Sequence, residues 1–95
     1  MAKYVVVSKL TDEGRKTIKK NPERILEVNE EMEKKGVKVL QQYALLGKYD
    51  FITILETPDH HSITNVVGEM SSRGTIRTVT MPAMTIEEFI GAMDS

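Results

Sequence analysis

Two strand-like segments of this 95-residue chain are apolar on both of their alternating sides, and that feature constrains the fold more than any other. In residues 3–8, Tyr4 and Val6 alternate with Val5 and Val7; in residues 49–56, Phe51 and Leu55 alternate with Ile52 and Ile54. A strand with one wet face alternates apolar with polar side chains, so strands of this kind call for cover on both faces. A chain of this length buries only about 60–65% of its extended surface, which leaves little material to supply that cover from within.

The remaining segments arrange themselves around such strands. Residues 3–8 form a β-branched run and read as a first strand. Thr11 caps a weak or broken helix over residues 12–20, which is polar apart from Ile18 and carries Gly14 where a capping box wants Glu or Gln. Asn21-Pro22-Glu23 is a stronger start signal, because Asn caps, Pro has its φ preset for the first turn, and Glu faces the positive end of the helix. A helix over residues 22–35 follows, with Ile25, Val28 and Met32 in one stripe beside Leu26. Glu30 with Lys34 and Glu31 with Lys35 are well-oriented i,i+4 pairs, and Gly36 is the terminator. Residues 37–46 and 49–56 read as a hairpin turning at Gly47-Lys48. After Thr57-Pro58-Asp59, the spacing of Ile63, Val66, Val67 and Met70 predicts a helix. Residues 75–81 form a fourth strand that Pro82 stops, and Thr85 with Glu88 makes a capping box for a short C-terminal helix.

The order is βαββαβ with a helical tail, which specifies an α+β, ferredoxin-like sandwich in one domain spanning residues 1–95. Helices on one face of the sheet leave the other apolar face bare, and a soluble monomer tolerates only a few hundred Å² of such surface. The expected cover is a second copy of the chain, two sheets meeting face to face in a dimeric α+β barrel.

Leu46-Gly47-Lys48-Tyr49-Asp50-Phe51, followed by Glu56-Thr57-Pro58-Asp59, resembles the signature of the GYD domain family. Leu10-Thr11-Asp12-Glu13-Gly14, Asn21-Pro22-Glu23-Arg24, Gly74-Thr75-Ile76-Arg77-Thr78 and Glu87-Glu88-Phe89 resemble the family's pattern in the same order, so the resemblance covers nearly the whole chain. It implies a ferredoxin-like domain of the dimeric α+β barrel type. It implies no activity: fold relatives include cofactor-independent monooxygenases, haem-binding chlorite dismutases, lactone isomerases and the amino-acid-sensing domains of leucine-responsive regulators. Kinship of that breadth selects no chemistry.

Tyr49 and Asp50 place a phenol and a carboxylate at a hairpin exit, where they either line a pocket or serve the turn itself, with Asp50 bonding backbone groups. Arg77 lies within a strand, where it points to solvent, pairs with a carboxylate such as Asp50 or Glu56, or clamps an anionic ligand. Asp59, His60 and His61 invite a metal, yet adjacent helical residues point about 100° apart and Asp59 is a natural cap, so no metal site is expected. Arg15, Lys16, Lys19 and Lys20 read as a solvated basic face. With no Cys, thiolate zinc sites, Fe–S clusters and cysteine nucleophiles are excluded, and no nucleotide-binding Gly-rich loop is present.

Charge narrows the partners further. The net charge is −1, and although residues 47–54 echo an RNA-recognition strand, the first strand offers Val where a stacking aromatic is needed. No nucleic acid, membrane or cofactor is expected, and the chain reads as cytoplasmic. The expectation is a small-ligand-binding homo-oligomer, with a pocket between helices and sheet or at the dimer barrel bordered by Tyr43, Tyr49, Asp50 and Arg77. The alternative is a small cofactor-independent enzyme, of oxygenase or isomerase type, with its site inside the barrel.

Overall fold

The computed structural model describes residues 2–94. Strand β1 (Ala2–Leu10) leads through helices α1 (Asp12–Lys20) and α2 (Arg24–Lys34) to β2 (Lys38–Ala44) and β3 (Phe51–Thr57). Helix α3 (His60–Ser72), strand β4 (Ile76–Ala83) and helix α4 (Ile86–Met93) complete the chain. The four strands make one antiparallel sheet in the order β2-β3-β1-β4, with β1 paired to β3 on one side and to β4 on the other.

Register explains the two apolar parities. Tyr4, Val6 and Ser8 stand opposite Leu55, Thr53 and Phe51 on β3 and opposite Pro82, Thr80 and Thr78 on β4, on the face that carries the helices. Tyr4, Val6, Leu55, Met32, Val37, Ile63 and Val66 form the buried core there. Val5, Val7, Ile52, Ile54, Val79 and Met81 occupy the opposite parity, and their face remains open.

Two expectations are corrected. The segment expected to be a weak or broken helix is a complete one, so two full helices connect β1 to β2 and the ferredoxin-like βαββαβ order with a short helical tail becomes βααββαβα. The first helix forms despite its polarity because Thr11 accepts the Gly14 N–H at 3.1 Å, Asp12 and Glu13 occupy its first turn, and Lys19 and Lys20 its last. The dimeric α+β barrel is also corrected, as the sheet stays open. Its edges, β2 and β4, are separated by β3 and β1 and do not pair with each other.

Local differences have identifiable causes. Helix α2 begins at Arg24, after a tight turn in which Arg24 N–H reaches the Asn21 carbonyl at 3.1 Å and Leu26 N–H the Glu23 carbonyl at 2.9 Å. Asn21 therefore ends α1 instead of capping α2, and its side-chain amide donates to Glu27 at 3.4 Å. Residues 45–50 make a wider turn than Gly47-Lys48 alone, closed by Leu45 N–H to the Asp50 carbonyl at 2.7 Å. Gly36 and Gly74 adopt positive φ at the ends of α2 and α3. The Thr85–Glu88 capping box forms as expected, with Glu88 N–H donating to Thr85 Oγ1 at 3.0 Å and Thr85 N–H to Glu88 Oε1 at 3.3 Å.

Helix α4 nevertheless buries none of its residues. The radius of gyration, 14.3 Å, exceeds the roughly 12 Å of a compact chain this long, and the extents of 50 × 29 × 19 Å describe an elongated body. No helix among the described residues is long and apolar enough to cross a membrane.

Gly14 offers a sharp test of how α1 seats on the sheet. A Cβ there would lie 1.9 Å from the Thr75 carbonyl oxygen, whereas one at Gly68 would meet nothing within 4 Å. Gly14→Ala is expected to destabilise by about 3 kcal/mol through backbone displacement. Gly68→Ala should instead stabilise helix α3 by about 0.5–1 kcal/mol. Denaturant unfolding of both variants checks this, and equal effects would contradict the close packing of α1 on the Thr75 carbonyl just before β4.

Candidate functional site

Next to the core, with Val6, Met32, Leu55 and Val66 lining both, the helices and the sheet do not fill the space between them toward the C-terminal end of β1. A cavity of about 160 Å³ opens there. Its floor consists of Ser8 and Leu10 from β1, Phe51 and Thr53 from β3, Gln42 from β2 and Ile76 from β4. Its roof is Ile25, Val28 and Asn29 from α2 with Val67 and Met70 from α3, while Gly14, Thr17 and Ile18 of α1 close one side. Small side chains at Ser8 and Thr53 leave the volume open, because a larger residue at either would fill it.

The polar groups in this largely apolar space are ordered. Asn29 Nδ2 donates to Gln42 Oε1 at 2.7 Å, Gln42 Nε2 returns a bond to Asn29 Oδ1 at 3.3 Å, and Gln42 Nε2 also donates to Thr53 Oγ1 at 3.0 Å. The three side chains tie α2 to β2 and β3. Thr53 and Ser8 are 5% and 3% exposed, so both hydroxyls belong to the interior.

Arg24 and Arg73, each about one-third exposed in its side chain (33% and 31%), line the cavity where it meets solvent. Glu31 joins them: Arg24 Nη1 lies 3.3 Å from Oε1 and Arg73 Nη2 2.7 Å from Oε2. Glu27 stands 3.7 Å from Arg24, and Glu69 pairs with both Arg73, at 3.4 Å, and Lys35. The expected Glu31–Lys35 pair within α2 is thus replaced by links from α2 to α3, since the facing helix brings a guanidinium closer than the lysine. The Arg73 hydrogen bond holds the Glu31 carboxyl below its ordinary pKa of 4.5; partial desolvation opposes this, and Arg24 adds to the lowering.

The residues singled out in the sequence lie elsewhere. Tyr43 sits on β2 opposite Ile52, 56% exposed. Tyr49 is half-buried in the turn, with the Lys48 ammonium 5.7 Å from its ring centroid. Asp50 accepts the Leu10 N–H through Oδ2 at 2.8 Å and donates its own N–H to the Ser8 carbonyl at 2.8 Å, so it clamps the end of β1 to the hairpin. Arg77 stands opposite Lys9 on β4, exposed, and makes no ion pair among the described residues. None of these four lines the cavity. Asn29, Gln42, Thr53 and Ser8 were not singled out. The available signal was polar residues at the helix-facing parity of apolar strands.

Two further features concern α3. Asp59 caps it, accepting the Ser62 N–H at 2.7 Å, and this bonding lowers the Asp59 pKa below its ordinary value. The buried Tyr4 hydroxyl hydrogen-bonds His60 Nδ1, and the two rings meet edge to face with centroids 6.1 Å apart. Among the described residues no three His, Asp or Glu side chains converge on a common point. The open sheet also removes the enclosed barrel interior in which an oxygenase or isomerase site was expected.

An antiparallel sheet with a helical layer over one face and an apolar cavity between them defines the class: a small, open α+β sandwich. The GYD domain matches residues 4–93, and the chain belongs to the GYD domain family. It is 42% identical over 94 residues to the glutamine synthetase and cystathionine beta-lyase binding protein of Thermus thermophilus, covering 98% of this chain and 99% of that one. By structure it resembles an FFRP protein with a TM-score of 0.63 and 21% identity, over 88% of this chain and all of the other. It also resembles a hypothetical protein, PHS023, of Pyrococcus horikoshii, with a TM-score of 0.59 and 22% identity over 90% and 92% of the two chains. At these identities the structural likenesses establish the fold.

The Glu31 cluster yields a pH prediction. Because the folded-state pKa is lowered, the contribution of Glu31 is complete above about 4.5 and is lost as pH falls through the lower folded value. Glu31→Gln should therefore melt below the wild type at pH 7, and the gap should narrow as pH falls below about 4.5. A gap in thermal unfolding that stays the same size as the pH is lowered would contradict the assignment.

Proposed function

We propose that this protein is a non-catalytic, self-associating binding module that docks onto a metabolic enzyme. The observation that carries the reading is α4: Ile86, Phe89, Ile90 and Met93 are 68%, 49%, 53% and 67% exposed, on a helix with its own capping box. A helix fixed at its N-terminus yet leaving its apolar side chains in water is suited to an external partner, as apolar surface of that kind marks interaction sites. Support for the partner's class comes from the Thermus thermophilus relative, whose name states that it binds glutamine synthetase and cystathionine beta-lyase and which aligns with this chain from end to end. The open sheet face, with Val5, Val7, Ile52, Ile54, Val79 and Met81, offers a second apolar surface for association between copies.

A second reading rests on a different observation. The cavity between helices and sheet joins an apolar lining to an ordered polar group, the general form of a small-molecule site. A ligand held there would contact α2 and α3 directly.

Docking is tested with purified partners. Immobilised glutamine synthetase or cystathionine beta-lyase from the same cell should retain the wild type and release the double variant Phe89→Asp, Ile90→Asp, with affinity falling at least tenfold. Circular dichroism should show the variant folded, since neither side chain is buried. Equal retention of wild type and variant, or retention of neither by both enzymes, would overturn the α4 reading.

A further inference from the structure

We propose that the helix–sheet cavity is a site for a small uncharged molecule, with an apolar body about the size of a benzene ring and one hydroxyl or carboxamide head. The inference rests on the small-molecule reading of that cavity and adds the class of ligand.

Size comes first. A volume of about 160 Å³ accommodates a body of six or seven heavy atoms, comparable to apolar cavities of about 150 Å³ that take up benzene. Val28, Val67, Met70 and Phe51 supply dispersion contacts on several sides of such a body.

The head group follows from hydrogen-bond accounting. Thr53 Oγ1 accepts from Gln42, so its own proton remains to be donated, and no described residue takes it. Ser8, 3% exposed, lines the same cavity, and no side-chain hydrogen bond among the described residues engages its hydroxyl. Gln42 has spent both N–H groups on Asn29 and Thr53. Two buried hydroxyls, each able to donate and accept, face the space. Buried polar groups ordinarily have partners, so a ligand able to donate and accept fits here better than a hydrocarbon.

Charge is excluded by balance at the rim. Arg24, Arg73 and Lys35 face Glu27, Glu31 and Glu69, three cations against three anions, already paired. A carboxylate entering the cavity would compete with Glu31 for the two guanidiniums that line it, and an ammonium would find no carboxylate among the lining residues. Charge moved into an apolar space without a counter-charge is strongly disfavoured. The interior polar groups, Ser8, Asn29, Gln42 and Thr53, are all neutral.

The experiment is an NMR titration of the full chain with phenol, benzyl alcohol, benzoate and benzylamine, and with toluene as an apolar control, followed at Val28 and Val67 methyls. The two neutral probes should bind at least tenfold more tightly than the two ions. Thr53→Val should weaken phenol and benzyl alcohol several-fold while leaving toluene unchanged, and Val67→Phe should abolish all binding. Should Val67→Phe fail to fold, Thr53→Val and the probe series still decide the matter. Binding of the ions as tight as that of the neutral probes would overturn the ligand class while leaving the cavity a site. Failure of every probe, toluene included, to shift these methyls would overturn the small-molecule reading itself.

Discussion

Strand β1 is hydrogen-bonded along both of its edges, to β3 and to β4, and the rest of the molecule follows from that position. A strand bonded on both sides has no freedom of register, since a slip of one residue would carry Tyr4, Val6 and Ser8 to the open face. Tyr4 and Val6 bring the helices down onto the sheet. Ser8, two residues on, is too small to continue the core; Thr53 stands opposite Val6 on β3, and Gln42 opposite Thr53 on β2. The same alternation that builds the core at one end therefore opens the cavity at the other.

Magnitudes decide what holds the roof over that cavity. Burial of Met32, Ile63, Val66 and Leu55 is worth about 1.5–3 kcal/mol for each side chain. The ion pairs around Glu31 are about one-third exposed or more, and pairs of that kind contribute on the order of 0.2–1 kcal/mol each. Apolar packing thus sets the spacing of α2 and α3 from the sheet, while the Arg24–Glu31–Arg73 cluster fixes how the two helices align at the rim. Neutrality at that rim, and not its affinity, is its consequence for function.

Much of the architecture was legible in the residues. The helical spacing of Ile63, Val66, Val67 and Met70, the Thr85–Glu88 capping box and the Asp59 cap are local signals, and local interactions realise them. The partner of Glu31 was not legible, because it depends on a residue distant in sequence, Arg73 at the end of α3; the start of α2 was displaced by a local turn in which Asn21 and Glu23 lend backbone carbonyls, a choice that cap propensity alone does not decide. The barrel was inferred from the open apolar face, whose parity was read correctly, but parity does not say what covers a face. Tyr49 and Asp50 drew attention as reactive side chains in a recognisable motif. In the fold Asp50 serves backbone groups of β1, and the cavity instead uses Ser8, Thr53, Gln42 and Asn29, whose amides and hydroxyls carry no reactivity to signal them.

The central claim is that the space between helices and sheet is unevenly filled, packed around Val37 and Ile63 and open beside Val28 and Val67. Methyl NMR of the protein under xenon pressure tests it most directly, because xenon enters apolar cavities of this size and perturbs the methyls that line them. The account predicts saturating shifts at Val28, Val67, Leu55 and Ile25, with Val37 and Ile63 unmoved. Absent shifts, or shifts spread equally over both groups, would contradict it.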